Sequence, residues 1–443
     1  MAWHSEQVLA LAPDASSARA GKSLSSPSKW QTLGATEQCA WGTIQGSGKK
    51  PYQTAIDLTG PAFKCTCPSR KFPCKHGLAL FLLLAQQPAV MKESSLPDWV
   101  TEWLEKRTEK EKKKAKPSEP KERDPEAEAK AIATAEKRAA SRESKVTQGL
   151  DELSTFLSDL IRGGFATLPS RPPRFWESAA ARLVDAQAPG LARRVGALYG
   201  ITSRGETWPA DLLHELSLLH LAAEGWSRID QLPEPVQADV RSVIGFTSSQ
   251  EATLNQEGIR DNWSVVGQRI LGDEERLRTQ RTWLFGQRTR RAALCLSFSA
   301  GPNQPLDMSL IPGTTIDAEM VFFPSAFPLR ALVKDRIGVA EDVAPVFPHE
   351  KIAAANEFAA LAFASNPWIE RLPLGLQAVV PQRTSRWIVR DSSGDALRLD
   401  AQDETGWTLL ALSGGHPISV AGEWDGQCFR PLSAWAEGRF FGL

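Results

Sequence analysis

Three of the chain's six cysteines and one of its six histidines fall within the thirteen residues KCTCPSRKFPCKH, positions 64–76, and no other stretch constrains the local fold so tightly. In an extended segment Cys65 and Cys67 point to the same face with Cα atoms roughly 6.6 Å apart, a separation from which two sulfurs reach one tetrahedral ion. Cys74 and His76 repeat that spacing, and residues 68–73, with a proline at each end, form a stiff loop long enough to fold the second pair onto the first. Three thiolates and a neutral imidazole match zinc rather than an oxygen-seeking cation, and leave about one net negative charge around the ion. Lys64, Arg70, Lys71 and Lys75 stand within or beside the cluster, and no acidic residue occurs between Asp57 and Glu93. A helix expected to begin near Gly77 turns its positive end the same way. Free buried cysteines or a redox pair are the alternatives to a metal.

The compartment bears on that choice. The opening MAWHSEQVLALAPD lacks the basic, apolar and small-residue order of a secretory signal. The longest apolar run, residues 78–85, is eight residues, against roughly 20 for a membrane-spanning helix. A cytoplasmic protein with reduced thiols is expected, and there clustered cysteines favour metal over disulfide. Four protein ligands close the shell, so the expected ion is one structural Zn2+ with no reactive water.

Hydrophobic patterning divides the 443 residues. Residues 39–45, 52–58 and 63–67 read as strands, with Tyr52, Thr54, Ile56 and Leu58 on one face, and residues 77–87 as a short buried helix ending before Pro88. Pro97 opens an amphipathic helix. Residues 105–145 carry 24 charged side chains, 14 basic and 10 acidic, with Ile132 the only large apolar one. Such a stretch cannot bury enough surface to form a globule and is expected to be a linker, helical in part or disordered. Helical spacing at Val146, Leu150, Leu153, Leu157, Leu160 and Ile161 predicts a helix over 146–162, followed by helices within 175–188, 191–198, 211–224 and 236–244.

Beyond Trp263 the period changes to two, and glycine turns separate strands expected at 281–285, 292–298, 387–389, 396–399 and 407–412, with an apolar helix over 353–364. The expected class is α+β multidomain: an N-terminal domain over 1–104 with a ββα-type zinc finger at about 39–88, a linker over 105–145, an all-helical domain over 146–248 and a mainly antiparallel β domain over 249–443.

The arrangement Cys-x-Cys, six residues, Cys-x-His, after a strand hairpin and before a helix, resembles the SWIM zinc finger. Residues 41–84, WGTIQGSGKKPYQTAIDLTGPAFKCTCPSRKFPCKHGLALFLLL, are similar to bacterial SWIM zinc-finger proteins, with every ligand position filled. The resemblance implies a structural zinc on Cys65, Cys67, Cys74 and His76. It also implies an interaction module for nucleic acid or protein, and bacterial relatives often encoded near MoxR-type AAA+ ATPases and von Willebrand A domain proteins.

Other signals carry less. Gly21-Lys22-Ser23 and Gly48-Lys49-Lys50 end like phosphate-binding loops but lack the first glycine, at Ser16 and Thr43, and are assigned to loops. His214 and His220 are six apart, about 120° around a helix, where zinc ligation needs an i, i+4 pair. Cys39, Cys295 and Cys428 have no partner at ligand spacing. Six arginines between 276 and 291 surround Trp283 without an acid. That pattern fits phosphate contact and base stacking, and equally an ordinary charged sheet face.

No catalytic constellation emerges, so no enzyme and no small-molecule substrate is expected. Lys+Arg and Asp+Glu both number 52, so attraction to DNA or RNA must come from a local patch. The expected patch is Lys49, Lys50, Lys64, Arg70, Lys71 and Lys75. The alternative is a protein adaptor whose partner is an AAA+ ATPase or von Willebrand A domain protein, with no membrane involved.

Overall fold

The computed structural model describes residues 3–46, 50–93, 95–115, 125–272, 277–300, 306–341 and 347–443. The chain opens with α1 (Ser5–Ala10) and α2 (Ala15–Leu24). Asp14 caps α2 by accepting the Ser17 N–H at 2.6 Å. Four strands follow, β1 (Trp30–Ala35), β2 (Cys39–Ile44), β3 (Tyr52–Asp57) and β4 (Ala62–Cys65), then α3 (Lys75–Gln86) and the short β5 (Lys92–Glu93). They form one sheet in the order β4-β3-β2-β1-β5, antiparallel except for the β1–β5 edge. β1 was not evident from the sequence, because it ends in Gly34-Ala35 and has no clear alternation. Its glycine is a packing requirement: a Cβ on Gly34 would lie 2.5 Å from the Trp41 ring that crosses it.

Both faces of this sheet are covered. Helix α4 (Asp98–Ala115) lays Val100, with Trp99, Trp103 and Leu104, against Cys39, Trp41 and Ala55. On the other face Ile44 and Ile56 meet the fully buried run Leu80–Leu83 of α3. That is why β3 is buried at consecutive residues, Thr54 through Asp57, instead of at every second one.

The charged stretch is helical on both sides of residues 116–124: α4 continues to Ala115, and α5 (Pro125–Gly163) begins the helical middle. There α6 (Pro173–Asp185), α7 (Pro189–Ile201), α8 (Trp208–Ser227) and α9 (Glu234–Ile244) close around Val146, Leu150, Leu157, Trp176, Val195, Leu219 and Val240. Prolines in the first turn of α6 to α9 and a left-handed Gly245 after α9 set several boundaries. Gly21-Lys22-Ser23, expected in a loop, lies inside α2, where Gly21 packs against Leu78.

After α10 (Gln250–Leu254), β6 (Ile259–Leu271), β7 (Leu277–Gly286), β8 (Ala292–Ala300), β9 (Thr315–Phe322) and β10 (Ala331–Glu341) form an antiparallel sheet ordered β10-β9-β6-β7-β8. Next come α11 (Ile352–Ser365), β11 (Leu372–Arg383), β12 (Trp387–Arg390), β13 (Ala396–Arg398), α12 (Asp403–Ser413), β14 (Ile418–Trp424), β15 (Phe429–Ala436) and β16 (Arg439–Gly442). The third sheet is antiparallel in the order β13-β12-β11-β14-β15-β16. Residues 407–412, expected as a strand, belong to α12. Its buried positions Gly406, Leu409 and Ser413 recur at helical spacing, Asp403 and Glu404 sit in its first turn, and Gly414 ends it in the left-handed region.

The middle sheet is buried on both faces, and β7 shows how. Leu284 joins the core shared with Trp3, Phe81 and Ile44, whereas Trp283 and Phe285 join Leu372, Ala421 and Trp435 of the third sheet. The zinc-finger module and the middle sheet therefore share one continuous core, reinforced by the Gln7 side-chain amide donating to the Gly313 carbonyl at 3.0 Å. The helical middle is tied on by polar links. The buried Asp239 carboxylate accepts from Asn366 at 2.7 Å and from the Ala326 N–H at 2.8 Å, and the Trp368 indole donates to the Leu218 carbonyl at 3.0 Å. Among the described residues no helix is long and apolar enough to cross a membrane.

Candidate metal centre

Cys65 ends β4, Cys67 follows it, Cys74 is the N-cap of α3 and His76 lies in its first turn. The helix starts two residues earlier than the sequence indicates, so its positive end falls directly on Cys74. One donor atom from each of the four residues lies within 4.8 Å of all the others. The His76 Nδ1 is 3.8 Å from the Cys65 Sγ and 4.0 Å from the Cys74 Sγ. Bond lengths of about 2.3 Å to sulfur and 2.0 Å to nitrogen give donor separations of roughly 3.5–3.8 Å in a tetrahedron, so the four fit one zinc ion with slight contraction.

Without an ion the thiols compete for one negative charge. The hydrogen bond with Cys74 pulls the Cys65 thiol down to about 3, and the same bond pushes Cys74 far up. Burial raises Cys67. Three sulfurs this close ionise together only around a cation.

Outer contacts hold the ligands. The buried Thr54 hydroxyl, opposite Cys65 in the β3–β4 ladder, lies 3.3 Å from the Cys65 Sγ. The Tyr52 ring packs on His76 at 5.2 Å. Their shared face is legible in the alternation of β3, but their role is visible only once the ligands are in place. Gly77 is required beneath Phe63, whose ring would lie 2.9 Å from a Cβ there. Lys71 reaches across to Asp14 at 2.6 Å and holds that carboxyl down to about 2. The cap of α2 thus pins the ligand loop.

The six basic residues expected at the surface divide. Lys50, Arg70, Lys71 and Lys75 are exposed. Lys64 turns inward, donating to the Trp99 carbonyl at 3.0 Å with its ammonium 5.4 Å from the Trp99 ring centroid, and burial lowers its pKa. Lys49 lies outside the described residues.

The arginine run is drawn inward at its centre, at Arg278 and Arg281, whereas Arg288, Arg290 and Arg291 remain exposed; Arg276 lies outside the described residues. Trp283 is buried, and its indole donates to the fully buried Glu423 at 2.9 Å, so it offers no stacking face. Arg281 pairs with Glu423 at 2.7 Å, Arg278 donates to Ser299 at 3.2 Å, Arg288 to the Arg260 carbonyl at 2.7 Å and Arg290 to the Phe347 carbonyl at 3.4 Å, while Arg291 covers the Phe322 ring at 4.6 Å.

Among the described residues the cysteine–histidine group is the only cluster that could hold a metal, and His214 and His220 sit apart from it on α8. Burial pushes the Cys39 and Cys295 thiols up to about 12, away from nucleophilic reactivity. Cys428 lies beside the Arg398 guanidinium at 2.9 Å.

A strand-ended, helix-capped Cys3His site with no ligand position left over defines a structural zinc finger. Family comparison places it further: residues 64–85 match the SWIM zinc finger, and residues 141–244 match the SWIM-associated four-helix bundle domain. The chain thus carries a SWIM zinc finger together with the four-helix bundle domain that accompanies such fingers. Comparisons with curated proteins and with solved structures yield no match.

Proposed function

We propose that this protein is a non-catalytic binding protein in which the zinc-stabilised finger contacts nucleic acid, DNA or RNA. One observation carries the reading. Across the acid-free stretch from Leu58 to Lys92, the metal-anchored loop and the first residue of α3 present Arg70 and Lys75 to solvent without a partner among the described residues, next to a Phe72 that is 44% exposed. Cations on a rigid loop beside an exposed ring suit phosphate contact. Three such contacts, from Lys50, Arg70 and Lys75, give a salt slope of about −2 on a single strand. Titration of labelled DNA and RNA with the full-length zinc protein at two salt concentrations tests this. Arg70→Glu with Lys75→Glu should flatten the slope and weaken binding, and absence of binding at low salt removes the reading.

A second reading, a protein adaptor for a MoxR-type AAA+ ATPase or von Willebrand A domain partner, draws on a different feature. Between α5 and α8 an apolar groove of about 920 Å³ leaves Ile161, Leu213 and Leu221 roughly half exposed. Leu213→Asp with Leu221→Asp should abolish association with such a purified partner and leave nucleic-acid binding unchanged. Undiminished association rules the groove out.

A further inference from the structure

The metal loop does not stand alone on the surface. It forms one wall of a cleft of about 430 Å³ whose other walls come from α4 and from the segment leading into β9. Phe63 and Phe72 line it from the finger, Trp103, Lys106 and Arg107 from α4, and Asp307 from the far side. This volume lies toward the lower end of the roughly 300–1,000 Å³ of ligand-binding pockets.

Resting on the nucleic-acid reading above, we infer that this cleft takes up one unpaired base of a single-stranded nucleic acid, while the basic loop holds the adjoining phosphates. Two observations converge. Phe72 remains 44% exposed although it sits in a loop held at Cys67 and Cys74 by the metal site and at Lys71 by Asp14. An apolar ring held rigidly in solvent loses little entropy on stacking against a flat partner. Phe72 meets Phe63 edge to face, 6.1 Å between centroids at 89°, and is not sandwiched in a stack.

Charge decides which part of a nucleotide enters. Arg107 is committed to Asp57, at 2.8 Å, and to the Gly60 carbonyl, at 2.9 Å, so it is wall and not a free phosphate clamp. Asp307 is exposed and acidic, and repels a phosphate placed inside. One Asp307 carboxylate oxygen accepts the Ser309 N–H at 2.8 Å. Arg70 on the loop and Lys75 at the start of α3, without a partner among the described residues, lie outside the cleft, and Lys106 at its rim makes a long 3.6 Å pairing to Glu102. Aromatic walls inside and cations outside match a base with its backbone running past. A duplex, whose bases are stacked away, cannot supply that base without unpairing.

The test compares the zinc-loaded full chain with Phe72→Ala and Phe72→Trp, titrated by anisotropy against a short fluorescein-labelled single strand, the same strand with abasic residues, and the matched duplex. Phe72→Ala is expected to weaken single-strand binding about tenfold and to leave duplex affinity, zinc content, thermal midpoint and the salt slope unchanged. Phe72→Trp should retain the affinity, and the abasic strand should lose it with the native protein. Should Phe72→Ala or the abasic strand bind as well as the reference while Arg70→Glu with Lys75→Glu still abolishes binding, the base cleft is wrong and the phosphate-contacting finger stands. A protein that binds none of the three probes overturns both.

Discussion

Replacing Glu423 with Gln tests whether the arginine-rich strand is a binding surface or an internal strut. Glu423 has no solvent exposure; its carboxylate accepts the Trp283 indole at 2.9 Å and the Arg281 guanidinium at 2.7 Å, with Arg269 at 3.6 Å. A glutamine can still accept from Trp283, but it presents an N–H group to Arg281, donor against donor, and removes the charge that pairs with both arginines. Breaking a buried pair by removing one partner costs roughly 3–5 kcal/mol. Arg281 and Arg269 remain 15% and 27% exposed and recover some hydration, so about 3 kcal/mol is expected. For a unit of this size that corresponds to a fall of about 6–12 °C in the melting transition of the β half, measured by circular dichroism. The double variant Glu423→Leu with Arg281→Met, which removes both charges, should lose much less than the sum of its single changes. Nucleic-acid affinity of folded Glu423→Gln should be unaltered. A melting shift below about 2 °C, or a selective loss of nucleic-acid binding without destabilisation, would refute the structural role of this cluster.

Two further outcomes concern the metal centre and a buried histidine. Cys74→Ser should abolish stoichiometric zinc, read by elemental analysis, and Thr54→Val, which removes the hydroxyl 3.3 Å from the Cys65 sulfur, should weaken zinc affinity about tenfold or more in a chelator competition; unchanged zinc in both would dismiss the site. His349 is buried between the Phe285 and Phe358 rings, and burial pushes its pKa down from 6.5 to about 4. The unfolded chain binds this proton first, so the stabilisation is complete above about pH 6.5 and is lost as the pH falls toward 4, about 3 kcal/mol in all. His349→Phe should flatten the pH dependence of the urea midpoint across that window, and an unchanged dependence assigns it to other groups.

Much of the architecture is readable from local pattern. The helix over α5 follows from apolar residues repeating every three to four positions, from Val146 to Ile161, and prolines and glycines mark the ends of several neighbours. The ligand set is readable for a related reason: Cys65, Cys67, Cys74 and His76 are close in sequence, so their convergence needs only a strand end, a short loop and a helix start. What failed was reading at short range. Residues 407–412 alternate well enough to pass for a strand until Gly406 is seen beneath the Trp387 ring, where a Cβ would come within 2.2 Å. The run from Arg276 to Arg291 looks basic and aromatic in one dimension, and the acid that neutralises Arg281, Glu423, lies 142 residues away.

Composition, spacing and period were sufficient for the metal, the ligands and the helical middle, because each depends on neighbours within a turn or a hairpin. Tertiary structure alone decided that Lys64 turns inward, that Trp283 is buried, that the finger shares a core with a sheet more than 170 residues further on, as Phe81 and Val265 show, and that Phe72, Trp103 and Asp307 face one cleft. Those outcomes depend on which distant surfaces exclude water from each other, and contacts between residues hundreds of positions apart leave no periodic trace along the chain.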